Sequence, residues 1–129
     1  MKAPVKILIL EDNPRDVELL FFALRKAGLA FTSKVVQTRA GFERALEGLQ
    51  PDIVLSDHNL PSFDGLSAFQ LLREKTPATP FIVLSGAMDE AQAAHWLRLG
   101  VSDVASKGEL DALVEKIMRV LKGAGRGMK

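Results

Sequence analysis

Five short apolar runs alternate with five segments of helical periodicity along the 129 residues, and this alternation constrains the fold more than any other feature. Parallel neighbouring strands need a crossover connection of about a dozen residues or more, which a helix supplies. The pattern therefore predicts an α/β fold, a doubly wound five-stranded parallel sheet with helices on both faces. The order 2-1-3-4-5 is favoured for a chain with five strands, and its switch point lies between strands one and three.

Runs of aliphatic and β-branched residues predict the strands, and apolar residues three and four positions apart predict the inward faces of the helices. Asn13, Thr38 and Asp89 are placed to begin helices, because their side chains are favourable at helix N-termini. The predicted strands are Val5 to Leu10, Thr32 to Val36, Ile53 to Ser56, Phe81 to Ser85 and Val101 to Ser106. The predicted inward residues are Val17, Leu20, Phe21 and Leu24; Phe42, Ala45, Leu46 and Leu49; Leu66, Phe69 and Leu71 or Leu72; Ala93, Ala94 and Leu97; and Leu110, Leu113, Val114 and Ile117.

Composition narrows the class of protein further. Apolar residues make up 47% of the chain, which suits one domain that folds without disulfides or a structural metal. We expect this domain over residues 1–122, followed by a flexible, glycine-rich tail over 123–129. The chain has no cysteine, which excludes thiolate chemistry and zinc sites built on sulfur.

Charge and the N-terminal segment restrict the expected partners and location. Seventeen basic and sixteen acidic residues give a net charge of +1, which argues against affinity for nucleic acid or membranes. Only a short strand-like segment precedes the first acidic pair, and it is too short for a leader or a membrane span. A cytoplasmic location is therefore expected.

Polar residues stand where the predicted strands end. Glu11 and Asp12 follow the first strand, Asp57 the third and Lys107 the fifth, and Ser85 ends the fourth. The carboxyl ends of parallel strands share one edge of the sheet, so these side chains are expected to meet there. Three neighbouring carboxylates repel one another unless they share a cation, and Mg²⁺ prefers oxygen ligands that include phosphate. Lys107 and Ser85 would then bind a phosphoryl group.

This ordered set of residues resembles the receiver domain of bacterial response regulators, from Val5 to about Leu121. The turn residues of the sequence add to the resemblance, namely Glu11-Asp12-Asn13-Pro14, Leu60-Pro61, Asp64-Gly65 and Ser85-Gly86. The resemblance implies a flavodoxin-like (βα)5 fold and a signalling role in a two-component phosphorelay. It also implies a histidine kinase or a histidine phosphotransfer protein as donor, and a downstream protein as target.

The resemblance further implies a role for each matching residue. Asp57 is the expected phosphoacceptor, and Lys107 holds a phosphoryl oxygen. Asp12 is an expected magnesium ligand, Glu11 a ligand through water, and Asn59 a ligand through its main-chain carbonyl. The chain is not expected to act as an enzyme on a separate substrate, although it is expected to catalyse its own phosphorylation and dephosphorylation.

Two positions depart from the family pattern. In the family, the hydroxyl at the Ser85 position moves toward the phosphoryl group while an aromatic residue on strand five rotates. That aromatic position holds Val104, and the chain has no tyrosine. Gly108 stands where the family has a proline. The resemblance therefore implies a switch that uses loop motion and a shift of the fourth helix.

Two other functions stay open. A phosphohydrolase with an aspartate nucleophile normally has a second acid two residues later, where this chain has Asn59. A receiver fold could instead serve as an interaction module independent of phosphorylation. No DNA-binding or catalytic output segment follows the last predicted helix, so signalling by protein contact is expected, from a stand-alone regulator or from a receiver cut from a larger chain.

The first predicted helix offers a docking surface for the donor. Arg15, Glu18, Leu19 and Phe22 border the expected site and combine apolar contact with charge. Phe22 lies beside the predicted inward stripe, as Trp96 does on the fourth helix, and partial burial is expected for both. The hypothesis is that the donor binds at this helix.

Overall fold

A computed structural model describes residues 3–58, 60 and 63–124. Within these residues, five strands and five helices alternate, and the parallel sheet has the order β2-β1-β3-β4-β5. The strands are β1 (Val5–Leu10), β2 (Phe31–Val36), β3 (Ile53–Asp57), β4 (Phe81–Ser85) and β5 (Asp103–Ser106). The helices are α1 (Pro14–Lys26), α2 (Arg39–Leu49), α3 (Gly65–Lys75), α4 (Glu90–Leu99) and α5 (Leu110–Gly123). The predicted fold class and strand order are confirmed.

Two apolar layers cover the sheet. One is formed with residues of α2, α3 and the partly buried side of α4, and the other with residues of α1 and α5. Every residue of β3 and β4 is buried, as expected for central strands covered on both faces. In the register of the sheet, Leu10 pairs with Ser56 and Asp57 pairs with Leu84, so these strands end at one edge.

Helix α1 starts next to that edge because of a local cap. The side-chain oxygen of Asn13 accepts hydrogen bonds from the backbone N–H groups of Arg15 and Asp16, at 2.9 and 3.4 Å. Pro14 occupies the first helical position, where its missing N–H costs nothing. The cap fixes the helix register, and it places Asp16 in the first turn.

Three predictions of burial are wrong. Leu97 is 47% exposed, because Trp96, the preceding residue, is the one that packs against the core, so Leu97 faces solvent. Leu66 is also exposed, in the first turn of α3. Phe22 is 66% exposed, since Leu20 and the residues one turn after it form the inward face of α1.

Helix α5 continues through Gly123, the first residue of the predicted tail, whereas residues 125–129 lie outside the described part of the chain. No helix among the described residues combines the length and the apolar composition that crossing a membrane requires.

Candidate functional site

Asp57 is the last residue of β3 and lies at the carboxyl edge of the sheet. It is 8% exposed, so only a small part of the residue reaches solvent. The N–H of His58 donates to the carbonyl of Leu84 at 2.9 Å, which fixes the backbone just beyond the acid. The strand is one residue longer than predicted, and Asp57 is therefore held by the sheet itself.

Glu11 directly follows β1 and is 3% exposed. Its Oε2 atom accepts hydrogen bonds from the backbone N–H groups of Asp12 and Asn13, at 3.1 and 3.2 Å. Its own N–H donates to the carbonyl of Val36 at 3.2 Å. These bonds fix the side chain in one orientation, in which the other carboxylate oxygen faces Lys107.

Lys107 brings the strand ends together. Its backbone N–H donates to the carbonyl of Ser85 at 2.8 Å, which attaches the loop after β5 to the end of β4. Its Nζ atom lies 2.5 Å from Oε1 of Glu11 and 3.1 Å from Oδ2 of both Asp16 and Asp57. Two of these contacts, to Asp16 and Asp57, are hydrogen bonds, and the contact with Glu11 is an ion pair. The ammonium group therefore contacts three carboxylates at once.

Burial and ion pairing both change the protonation of this cluster. Burial raises the pKa of Glu11 above its ordinary value, and the hydrogen bond from Lys107 offsets only part of that effect. Burial alone would lower the pKa of Lys107, but the hydrogen bonds to Glu11, Asp16 and Asp57 outweigh it and raise the pKa. The lysine is consequently held as a cation.

Glu11, Asp12 and Asp57 form a group that could hold a cation. Each offers one carboxylate oxygen, and these oxygens lie within 4.8 Å of one another. An all-oxygen donor set of this kind fits a hard divalent ion better than it fits a transition metal. Asn59, the fourth predicted ligand, lies outside the described residues.

Ser85 lies at the same edge, although the described hydrogen bonds of its side chain are local. Its Oγ atom donates to the carbonyl of Ala87 at 3.1 Å and accepts from the N–H of that residue at 3.3 Å. The hydroxyl is buried and belongs to the turn after β4. The predicted bond to a phosphoryl group would require this hydroxyl to leave Ala87.

Two contacts at the site were not predicted from the sequence, one made by Asp16 and one by Gly65, which was expected only as a turn residue. Asp16 contacts Lys107 across 91 residues of sequence. A Cβ atom added to Gly65 would lie 3.1 Å from the carbonyl oxygen of Asp57 and from Cα of His58. The Asn13 cap signals the place of Asp16 in the first turn of α1, whereas no local pattern reveals the close approach at Gly65.

The two departures from the family pattern lie beside the site. Val104 is buried in β5, and its carbonyl accepts a hydrogen bond from Nζ of Lys116 at 2.7 Å. The N–H of Gly108 donates to Oγ of Ser106 at 3.1 Å. No peptide bond among the described residues is cis. A hydrogen bond to the end of β5 thus shapes the loop that carries Lys107.

Comparison with known proteins gives consistent matches. The family model of the response regulator receiver domain matches residues 7–118. The chain is 28% identical to a protein-glutamate methylesterase/protein-glutamine glutaminase of Archaeoglobus fulgidus, over 93% of this chain and 36% of that protein. It is 33% identical to the transcriptional regulatory protein KdpE of Staphylococcus aureus, over 91% of this chain and 51% of that protein. The chain thus spans about a third to a half of the length of these two relatives.

Solved structures agree on the fold. The signal receiver domain of a putative Luxo repressor protein from Vibrio parahaemolyticus has a TM-score of 0.83 at 18% identity, with 95% of this chain and 94% of that one covered. The signal receiver domain of a histidine kinase from Syntrophus aciditrophicus has a TM-score of 0.78 at 26% identity, with 97% and 96% covered. The chain belongs to the response regulator receiver domains of two-component systems.

Proposed function

We propose that this receiver domain accepts a phosphoryl group on Asp57 from a phosphohistidine of a histidine kinase or a phosphotransfer protein. The observation that carries the proposal is the position of the Asp57 carboxylate at the end of a buried strand. Nζ of Lys107 lies 3.1 Å from its Oδ2 atom, and the carboxylates of Glu11 and Asp12 lie beside it. A nucleophile, a fixed cation and a group of oxygen ligands therefore meet at one opening.

The proposed reaction is an in-line displacement at phosphorus. A carboxylate oxygen of Asp57 forms a bond to phosphorus as the bond from phosphorus to the donor's imidazole nitrogen breaks, and that nitrogen keeps the electron pair. Lys107 stabilises negative charge on a phosphoryl oxygen, since its ammonium group already lies against Asp57. The product is an acyl phosphate.

Glu11, Asp12 and Asp57 would hold Mg²⁺, with the main-chain carbonyl of Asn59 as a further predicted ligand. The ion supplies neutralisation of the charge on the transferring oxygens. The acidic residues themselves orient Lys107 and restrict access to the opening.

Ser85 is proposed to bind the phosphoryl group once its hydroxyl releases Ala87. Hydrolysis of the acyl phosphate by water at the same site would return the domain to its starting state. The domain would thus promote its own phosphorylation and dephosphorylation without acting as an enzyme on a separate substrate. Its output is proposed to be a contact with a downstream protein, and the cytoplasmic location stays a prediction from the sequence.

Intact mass after incubation with Mg²⁺ and acetyl phosphate, or a phosphoramidate, tests the proposal. We expect the mass of one phosphoryl group to be added, and we expect Asp57→Asn to abolish the addition. An absence of adduct with every donor would favour an interaction module independent of phosphorylation. Steady release of phosphate from ordinary phosphomonoesters would favour a phosphohydrolase.

Binding of the ion has a separate test that needs no phosphodonor. A ligand that binds the native state raises the midpoint of thermal unfolding. Mg²⁺ should therefore raise the midpoint for the wild-type chain, and Asp12→Asn should reduce the increase, because Asp12 is the exposed member of the acidic group. An equal increase in both proteins would remove Asp12 from the ligand set.

The donor is proposed to dock on the outer face of α1. Leu19 is 46% exposed and Phe22 is 66% exposed, so the helix presents apolar surface to solvent. Arg15 and Glu18 add charge around it, and Leu19 lies one turn from the Asp16 that contacts Lys107. Exposed apolar side chains ringed by charge are typical of protein contacts.

Phe22→Ala tests this docking surface. Transfer from a phosphohistidine donor protein should slow by about tenfold or more, while reaction with acetyl phosphate should keep the wild-type rate. Leu97→Ala is the control, because it removes another exposed apolar side chain, from α4. Unchanged transfer in Phe22→Ala would remove α1 as the docking surface.

A further inference from the structure

Asp16 is the one carboxylate that contacts Lys107 from outside the group of strand-end acids, among the described ion pairs of that lysine. Its Oδ2 atom lies 3.1 Å from Nζ, a distance that meets the hydrogen-bond criterion. The two residues come from α1 and from the loop after β5, 91 positions apart. This contact joins a helix to the residue that faces the proposed nucleophile.

We infer that Asp16 is a positioning residue for Lys107 in the proposed phosphotransfer reaction. Before the reaction, the lysine pairs with Glu11 and donates hydrogen bonds to Asp16 and Asp57. When Asp57 carries a phosphoryl group, one N–H turns to a phosphoryl oxygen. The bonds to Asp16 and Glu11 are retained, so the ammonium group stays over the reacting atoms. The inference rests on the proposed function.

The backbone around Lys107 gives a reason for this second anchor. Gly108 follows the lysine, and a glycine leaves the chain more conformational freedom than any other residue. The loop is held by the N–H of Lys107 on the carbonyl of Ser85 and by the N–H of Gly108 on Ser106. Neither bond orients the long lysine side chain. The carboxylate of Asp16 does so from a helix whose register is fixed by its cap.

A simpler role is also available to Asp16, and the experiment must separate the two. An acidic residue in the first turn of a helix stabilises that helix through its dipole. Asp111 has this role in the first turn of α5 and has no described ion pair with Lys107. Asp111→Asn therefore removes the same charge from the first turn of another helix, and it serves as the matched control.

The test compares phosphorylation by acetyl phosphate with Mg²⁺, followed by intact mass, at a temperature where all variants are folded. Asp16→Asn should react about tenfold more slowly than the wild-type chain, which is the effect of losing one partly exposed charge-assisted hydrogen bond. Asp16→Glu should recover most of the rate, because the longer side chain can still reach Nζ. Asp111→Asn should react at the wild-type rate.

A second measurement follows the contact without metal or phosphodonor. Urea unfolding of Asp16→Asn, Lys107→Met and the double variant in EDTA should show coupling of about threefold to tenfold in the unfolding equilibrium constant. Additive effects would overturn the inference, as would a wild-type rate in Asp16→Asn or an equal loss of rate in Asp111→Asn. A wild-type chain that takes no phosphoryl group from any donor would overturn the proposed function, and this inference with it.

Discussion

The acidic end of the sheet, where Glu11 and Asp57 meet Lys107, and helix α4 are held in the fold in different ways. At the acidic end, Glu11 and Asp57 are buried and Lys107 joins them across 50 residues or more. Helix α4, described over its whole length from Glu90 to Leu99, has no buried residue. Its best contacts are partly buried side chains such as Trp96 that pack against the core.

This difference distinguishes a site whose side chains are fixed from a helix that can move at a low cost in free energy. A segment with few buried apolar contacts opens more easily than the core beside it. Val104, at the position where the resemblance implies a rotating aromatic residue, is buried on β5, the strand that α4 contacts. We therefore expect the response to phosphorylation to appear in α4, while the strand ends keep their positions.

The largest expected effect comes from removing the cation that holds the acidic end together. Lys107→Met leaves the buried Glu11 without its counter-ion beside Asp57, and loss of one partner of a buried pair costs about 3 kcal/mol or more. Urea unfolding in EDTA at neutral pH measures this loss. Glu11→Gln in the same background should recover part of the stability. An unchanged midpoint in Lys107→Met would show that the acidic end is not held by charge.

The pH dependence of that loss gives a second prediction. The pKa of Lys107 is raised above its ordinary 10.5, so its ion pairs stabilise the fold fully below pH 10.5 and lose their effect as the pH rises further. The stability difference between the wild-type chain and Lys107→Met should therefore shrink above pH 10.5. The chain has no tyrosine or cysteine to titrate in this range. A difference that stays constant up to about pH 12 would contradict the prediction.

The backbone next to Asp57 gives the third prediction. Gly65→Ala places a methyl group 3.1 Å from backbone atoms of Asp57 and His58, and we expect a loss of about 2 kcal/mol in the free energy of unfolding. Gly48→Ala is the control, since nothing lies within 4 Å of its added methyl group in α2. It should stabilise the protein by about 0.5 kcal/mol, because alanine is the better helix former. Equal effects at both positions would show that the acidic end tolerates displacement.

The fold could be predicted from the sequence because each element carries its own local signal. Asn13 and Pro14 mark the start of α1, and the unbroken apolar run of β4 marks a central strand. The order of the sheet agrees with the doubly wound order that is favoured for a chain with five strands. Glu11, Asp57 and Lys107 were predicted to meet because strand ends share an edge, and they do lie together.

What could not be predicted depends on distances between elements. The contact of Asp16 with Lys107 and the approach of Gly65 to Asp57 arise only after the helices pack on the sheet. The exposure of Leu97 depends on the rotation of α4, which a short helix with several alanines does not determine. The periodicity of apolar residues identifies the inward face of a helix only to within about one residue. Packing then decides which side chain is buried.

The smallest predicted effect comes from the same substitution, valine to alanine, made on two strands. It tests directly whether α4 is held less firmly than the strand ends. Val54 on β3 and Val104 on β5 are both buried in the same apolar cluster, and of these two strands β5 is the one with extensive contacts to α4. The cost of a cavity depends on how far its surroundings can relax into it. Val54→Ala should lose about 2 kcal/mol in urea unfolding, whereas Val104→Ala should lose about 1 kcal/mol because α4 can settle into the space. Hydrogen exchange should then change in α4 for Val104→Ala alone, and equal losses without that change would mean that α4 is held as firmly as the strand ends.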